Sequence, residues 1–215
     1  MQQFDLPEDI VIIDNIIPEP TQKRFNRYIG TSDFSWGDFS HINSAGMYRL
    51  AYEINPLDVT VVPTDSLIKL CYLNDGRQEK MLNETVYQFG QSILDEYCKR
   101  TGKIIIDVIR MKINNQRPSV FEYNANCCNE IHIDNESIKN RTLVYYINDS
   151  DGDTFLFDKF WKPNIDVFDV KTIARVKPKR GTIVVFDTDR FHAPSNPIFY
   201  QRRYILNINF LEGIA

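Results

Sequence analysis

Histidine is scarce in this 215-residue sequence, with three copies, and cysteine is little commoner, with four at 71, 98, 127 and 128. Cys127 and Cys128 are adjacent and cannot readily bridge each other, and no CxxC spacing offers a zinc site. Free thiols in a reducing compartment follow, and with them a cytoplasmic location. Long apolar runs are missing: Ile104-Ile105-Ile106 meets a charge at Asp107, far short of the roughly 20 residues that span a bilayer. The opening Met1-Gln2-Gln3-Phe4-Asp5-Leu6-Pro7-Glu8 lacks the basic stretch and apolar core of a secretion signal. Positive charge is not in excess. With 25 Lys and Arg against 29 Asp and Glu, the net charge is -4, which disfavours nucleic acid and anionic membrane as partners. Repeats, low-complexity tracts and Gly/Ser linkers are also absent.

What is present is a soluble core: 43% hydrophobic and 13% aromatic residues. The length suits a single domain over 1–215, with a helical and mixed support region at 1–103 and a β-rich core at 104–211. Pro18-Glu19-Pro20-Thr21 predicts a helix start, with Phe25, Tyr28 and Ile29 behind it. Asn83 opens the best helix, whose apolar residues Val86, Phe89, Ile93, Leu94 and Tyr97 recur at three- and four-residue steps until Gly102 ends it. The polar and aromatic stretch 31–46, with His41, reads as a loop. After residue 103 the period becomes strand-like. Runs at 104–113, 119–124, 129–134, 141–148, 153–158, 172–176, 182–187 and 203–211 are rich in Ile, Val, Tyr, Phe and Thr and are bounded by Asn, Asp, Gly or Pro. About eight such strands predict a mainly β, α+β fold: a double-stranded β-helix (jelly-roll, cupin-like) barrel with the N-terminal helices packed on one sheet.

Two of the three histidines fall in a chemically pointed arrangement. His132-Ile133-Asp134 places an imidazole and a carboxylate at i and i+2, on one face of an extended segment. His192 follows 60 residues later, beyond the strongly β Thr182-Ile183-Val184-Val185-Phe186. Two neutral imidazoles and one carboxylate form the facial triad of non-haem Fe(II), which leaves open positions for cosubstrate and O₂. An isolated His-x-Asp is a weak signal, but other residues accompany it. In the strand from 203, Tyr204, Leu206, Ile208 and Phe210 form an apolar packing face. Arg203, Ile205, Asn207 and Asn209 occupy the other, an odd mixture unless it lines a polar cavity. An arginine there can hold a carboxylate through two parallel charge-assisted hydrogen bonds. Arg202 reads as an exposed turn charge and Tyr145 as core.

From about residue 104 to 211 the sequence resembles the Fe(II)/2-oxoglutarate-dependent dioxygenases of the prolyl 4-hydroxylase-like branch. The matching pieces are Tyr123; His132-Ile133-Asp134; Leu143-Val144-Tyr145-Tyr146-Ile147-Asn148-Asp149; Gly152-Asp153-Thr154-Phe155; Arg175-Val176-Lys177-Pro178-Lys179-Arg180-Gly181; Phe186-Asp187 leading to His192-Ala193; and Arg203-Tyr204. The resemblance implies His132, Asp134 and His192 as metal ligands. It implies Arg203 and Tyr146 at the distal carboxylate of 2-oxoglutarate, Tyr123 near the other end of the cosubstrate, and Asn207 as a contact on the inward face. It further implies Fe(II), 2-oxoglutarate and O₂, with ascorbate as a stimulant. The activity would be hydroxylation of an unactivated C–H in an amino-acid side chain of a peptide or protein, or in a small molecule, with release of succinate and CO₂ and no general base. Two departures stand out: Gly152-Asp153 replaces the usual Gly-Gly, and Cys127-Cys128-Asn129-Glu130 is poorer in glycine than usual beside the substrate opening. The intact carboxylate ligand argues against halogenation. The competing expectation is a non-catalytic jelly-roll module that holds a metal without turnover. The aromatic insertion 158–169, with Phe160, Trp161 and Phe168, reads as a substrate lip, an oligomer contact or a loop anchor.

Overall fold

In the strand Arg203–Ile214, Leu206, Ile208 and Phe210 are fully buried against helices while Arg203, Asn207 and Asn209 are buried on the opposite face. That two-residue alternation separates oil from site throughout the main sheet. The computed structural model describes residues 6–31, 53–62, 66–74, 76, 79–119, 121–135, 140–163 and 167–214. His41 and most of the 31–46 loop lie outside the described residues.

The elements, in chain order, are β1 (Val11–Ile13), α1 (Glu19–Ile29), β2 (Glu53–Pro56), β3 (Thr60–Val61), β4 (Ser66–Asn74), β5 (Glu79–Met81), α2 (Glu84–Thr101), β6 (Lys103–Gln116), β7 (Cys127–Cys128), β8 (Asn140–Tyr146), β9 (Thr154–Phe160), β10 (Val167–Val170), β11 (Thr172–Val176), β12 (Ile183–Asp187), β13 (Arg190–Pro194) and β14 (Arg203–Ile214). A seven-stranded sheet runs β1-β12-β8-β14-β6-β4-β5, and a three-stranded sheet runs β11-β9-β13. The N-terminal region thus contributes both helices and three strands of the main sheet.

Each helix is set by local chemistry. Asn83 caps α2 by accepting from the Val86 amide at 3.0 Å, and Gly102 closes it in the left-handed region. Val86, Phe89, Ile93, Leu94 and Tyr97 form the buried face, as the periodicity predicts. Gly90 lets the helix lie close on β6, since a Cβ there would fall 2.5 Å from Met111 Sδ. Phe25 of α1 stacks on Phe89 with ring centroids 3.5 Å apart. Both helices cover one face of the main sheet, where Met111, Ile113, Leu143, Tyr145, Ile183, Val185, Leu206, Ile208 and Phe210 complete the largest core cluster.

The other face of the main sheet meets the small sheet. Val144, Tyr146, Val184, Phe186 and Ile205 pack on Leu156 of β9 and on Ala174 and Val176 of β11. A third cluster, including Ile133, Phe155, Phe157 and Phe191, lies on the outer side of the small sheet. Two facing antiparallel sheets with helices on one outer face make a double-stranded β-helix.

Two predicted strands differ. The described residues of 119–124 form no ladder, because Tyr123 is held through its side chain instead. Segment 129–134 is extended but joins the sheet through one bridge only, His132 to His192. The insertion after Phe160 is anchored rather than projecting at its start: the Arg190 guanidinium lies 4.0 Å over the Phe160 ring, and Trp161 packs on the third cluster.

Truncating Leu206 to alanine should cost about 2–5 kcal/mol, the range for a buried leucine, whereas Asn83→Ala should cost about 1 kcal/mol through the lost helix cap. Urea denaturation of the two variants should separate them. Similar losses would contradict the central place of β14 in the core.

Candidate metal centre

The paired backbones of His132 and His192 set the site. Each amide donates to the other's carbonyl at 2.9 Å, so the two residues sit directly opposite, with ring centroids 4.4 Å apart. The His132 Nδ1 lies 2.9 Å from the Glu130 carbonyl oxygen, and the His192 Nδ1 lies 3.0 Å from that of Arg190. Those contacts put the protons on Nδ1 and leave both Nε2 lone pairs free, the arrangement found when histidine binds metal. The Asp134 amide donates to the Thr188 carbonyl at 2.9 Å, which turns the carboxylate inward. Ile133, between the two ligands, is fully buried in the outer cluster. The candidate ligand atoms of His132, Asp134 and His192 all lie within 4.8 Å of one another.

Asp134 is buried and accepts from five side chains on three strands. Arg110 Nη2 donates to Oδ1 at 2.9 Å, with Lys112 Nζ at 3.4 Å from the same oxygen. Thr142 Oγ1, Asn207 Nδ2 and Asn209 Nδ2 donate to Oδ2 at 2.9, 3.0 and 3.2 Å. The strand register explains the convergence. Asn209 lies opposite Arg110 on one side and Thr142 on the other, and Asn207 lies opposite Lys112 and Val144. Burial alone would raise the Asp134 carboxyl, but Lys112 and Arg110 beside it hold it well below the usual range. Burial pushes Lys112 down to about 8, reinforced by Arg110 and opposed by Asp134. Burial also pushes His132 down to about 3, with His192 adding to it, and lowers His192.

Farther along the inward face lies Arg203, which is 1% exposed. Its Nε donates to the Gly152 carbonyl at 2.7 Å, Nη2 to Thr154 Oγ1 at 2.7 Å, and Nη1 to Gln116 Oε1. Its guanidinium carbon stands 5.8 Å from the Tyr146 ring centre. The Tyr146 hydroxyl donates to the same Thr154 oxygen at 2.8 Å, and burial raises its phenol to about 12. Among the described residues no carboxylate lies within ion-pair distance of Arg203. Gly152 permits the approach, because a Cβ there would fall 2.5 Å from the Ser195 carbonyl oxygen and 3.0 Å from Arg203 Cδ. Tyr123 is part-buried. Its hydroxyl accepts from the Asn196 amide at 3.0 Å and donates to Asn129 Oδ1 at 3.2 Å.

The structure therefore brings His132, Asp134 and His192 together, places Arg203 beside Tyr146, and directs Asn207 to the carboxylate ligand. Sequence reasoning missed Arg110, Lys112, Gln116 and Thr142. The signal for the first two was available, since Arg110-Met111-Lys112-Ile113 alternates charge with oil in a predicted strand. Two imidazoles with free Nε2 atoms and one ionised carboxylate fit a divalent first-row metal such as Fe(II).

Solved structures share the fold. A 2OG-Fe(II) oxygenase-family oxidoreductase from Burkholderia pseudomallei matches with a TM-score of 0.56 at 13% identity, over 94% of this chain and 84% of its own. A prolyl hydroxylase from Trichoplax adhaerens, solved with a hypoxia inducible factor oxygen degradation domain peptide, matches with a TM-score of 0.52 at 14% identity, over 95% and 84%. A Pseudomonas putida prolyl-4-hydroxylase matches with a TM-score of 0.51 at 13% identity, over 94% and 92%. By sequence, no family model and no curated protein matches. No helix among the described residues is long and apolar enough to cross a membrane.

Because burial pushes His132 down to about 3 and also lowers His192, protons should compete less with metal near neutrality than at free histidines. Mn(II) affinity, read by titration calorimetry, should hold steady between about pH 7 and about pH 6, below the range in which Lys112, pushed down to about 8, takes up its proton. A drop of about tenfold or more across that interval would contradict the depressed histidines.

Proposed function

We propose that this protein is an Fe(II)- and 2-oxoglutarate-dependent dioxygenase that hydroxylates an unactivated C–H bond. The observation that carries the reading is Arg203. A fully buried guanidinium with no acidic partner among the described residues is costly to maintain, and it lies on the same inward face as Asn207 and Asn209, which touch the carboxylate ligand. A module that merely stored a metal would have no use for it. An incoming dicarboxylate supplies the missing anion.

In this reading His132, Asp134 and His192 hold Fe(II), and Arg203 takes the distal carboxylate of 2-oxoglutarate. Bound Fe(II) would supply the activation of O₂ coupled to decarboxylation of 2-oxoglutarate to succinate and CO₂ and to hydroxylation of the substrate. The chain's own residues orient and exclude water. Gly152 and Thr154 fix the guanidinium plane, while Gln116 Nε2, buried without a partner among the described residues, is a spare donor for a carboxylate oxygen. Tyr146 packs in the cluster between the two sheets and shares Thr154 with Arg203. Tyr123 and Asn196 border the nearer end. Thr142, Asn207 and Asn209 steer the Asp134 carboxylate, and no side chain acts as a general base. The substrate is a peptide or protein side chain, or a small molecule, and ascorbate is expected to stimulate turnover.

The anaerobically Fe(II)-loaded protein should form succinate from 2-oxoglutarate once O₂ is admitted, with a mixed pool of peptides and amino acids raising the rate. His132→Ala should lower this by at least about a hundredfold. Arg203→Ala should raise the KM for 2-oxoglutarate about tenfold or more, since a charge-assisted hydrogen bond is worth about 1.5–3 kcal/mol, with rescue at high cosubstrate. Absence of both Fe(II) binding and 2-oxoglutarate binding would leave the non-catalytic barrel as the better account.

A further inference from the structure

Asp153 occupies the position where the usual Gly-Gly would carry its second glycine, and it stands between the two residues that hold Arg203. Gly152 accepts from Arg203 Nε at 2.7 Å, and Thr154 accepts from Nη2 at 2.7 Å. The Asp153 carboxylate itself turns to Arg175 of β11, with Oδ2 3.2 Å from Nε and 2.9 Å from Nη2. The same Nη2 donates to the Ala125 carbonyl at 2.7 Å, and the guanidinium carbon lies 4.6 Å from the Phe155 ring centre. On the backbone side, the Asp153 carbonyl accepts from the Ser195 amide at 2.8 Å.

Ala125 belongs to the turn that follows Tyr123. The Cys127 amide donates to the Asn124 carbonyl at 3.0 Å and the Asn126 amide to Asn124 Oδ1 at 2.8 Å, so a hold on Ala125 is also a hold on Tyr123. The Tyr123 hydroxyl is tied to the Asn196 amide and to Asn129 Oδ1, and Asn129 Nδ2 donates to Asn196 Oδ1 at 2.8 Å. Ser195 and Asn196 lie directly on Gly152, where a Cβ would fall 2.5 Å from the Ser195 carbonyl oxygen and 3.0 Å from the Asn196 carbonyl carbon. The contacts thus close a ring through 152–154, Arg175, 123–125 and 195–196, with Arg203 against its Gly152 side. The Arg175 side chain is 37% exposed, and a simple ion pair so open to water adds little stability. A planar guanidinium shared by a carboxylate, a carbonyl and a ring instead fixes geometry. On the Fe(II)/2-oxoglutarate reading above, Arg203 takes the far carboxylate and Tyr123 borders the pocket. We infer that Asp153 and Arg175 are positioning residues for the cosubstrate: they latch the turn at Ala125 to the segment that holds Arg203, and so keep Tyr123 in place beside the pocket.

The test uses the full chain loaded with Mn(II), titration calorimetry with 2-oxoglutarate, and amide hydrogen exchange. Arg175→Met should weaken 2-oxoglutarate binding about threefold to tenfold and leave Mn(II) affinity within about twofold. Arg175→Lys keeps the charge but lacks the fork that joins Asp153 to Ala125, so it should weaken 2-oxoglutarate nearly as much. In a Tyr123→Phe background, Arg175→Met should add less than about twofold, because both changes act through one hydroxyl. Asp153→Gly and Arg175→Met should both speed exchange over 123–127 and leave β14 unchanged. Full affinity in Arg175→Lys overturns the inference by reducing Arg175 to a charge. Independent, multiplying losses in the double variant overturn it by uncoupling Arg175 from Tyr123, and unaltered exchange over 123–127 overturns it by removing the latch. Equal loss of Mn(II) and 2-oxoglutarate in Arg175→Met also overturns it, since that marks general damage to the barrel. Failure of the wild type to bind 2-oxoglutarate is a separate result, which removes the enzymatic reading and this inference with it.

Discussion

A carboxylate taken out of water loses several kcal/mol of hydration unless donors replace the solvent, and Asp134 replaces it with side chains from β6, β8 and β14. These three strands are neighbours in the main sheet, and their inward residues meet the carboxylate only when both registers are correct. A slip of one residue would turn Arg110, Lys112, Asn207 and Asn209 toward the helices and bring Met111 and Ile208 into the site. The buried ion cluster and the helix-facing core thus enforce the same register from opposite sides of one sheet. The pairing of His132 with His192 then brings the outer sheet into place against a carboxylate that is already oriented.

The two ends of the inward face do different work. Around Asp134 the donors are dense and the carboxylate is fully engaged, so the ligand geometry is set before anything binds. Around Arg203 the donors are held by neutral acceptors, Gly152, Thr154 and Gln116, which fix direction without cancelling charge. One cation cluster is therefore engaged with a carboxylate of the protein, whereas Arg203 has neutral partners and no carboxylate within ion-pair distance among the described residues. Gly152 is the steric condition for that arrangement, because a side chain there would push Arg203 off its carbonyl partner.

Much of this was legible in the sequence, for reasons that differ by element. The helix Glu84–Thr101 declared itself through periodicity and both caps. The inward and outward faces of β14 followed from strict alternation around Arg203. The facial triad was readable because i and i+2 share a face in any extended segment, although 129–134 proved to be a bridged extension rather than a strand. Strand β13 was harder: Arg190–Pro194 is short, ends in proline, and carries little β-branched signal, yet it presents His192. The partners of Asp134 are long-range in sequence, and only the order of strands in the sheet reveals that β6 borders β14. Tyr123 lies in a segment whose aromatic and β-branched content suggested a strand, but it is anchored through its hydroxyl to Asn196.

Strand β14 follows every other strand along the chain and yet lies between β8 and β6 near the middle of the main sheet. It must insert between strands separated from it by tens of residues, which makes the fold rich in distant contacts and slow to close. During synthesis the segments bearing His132, Asp134 and His192 leave the ribosome before it does. Until it docks, the Asp134 carboxylate lacks Asn207 and Asn209, and the barrel lacks Arg203. Before that docking the segments bearing the three candidate ligands exist without the inward face that surrounds them. The topology therefore delays completion of the carboxylate's donor set until β14 has docked between β8 and β6.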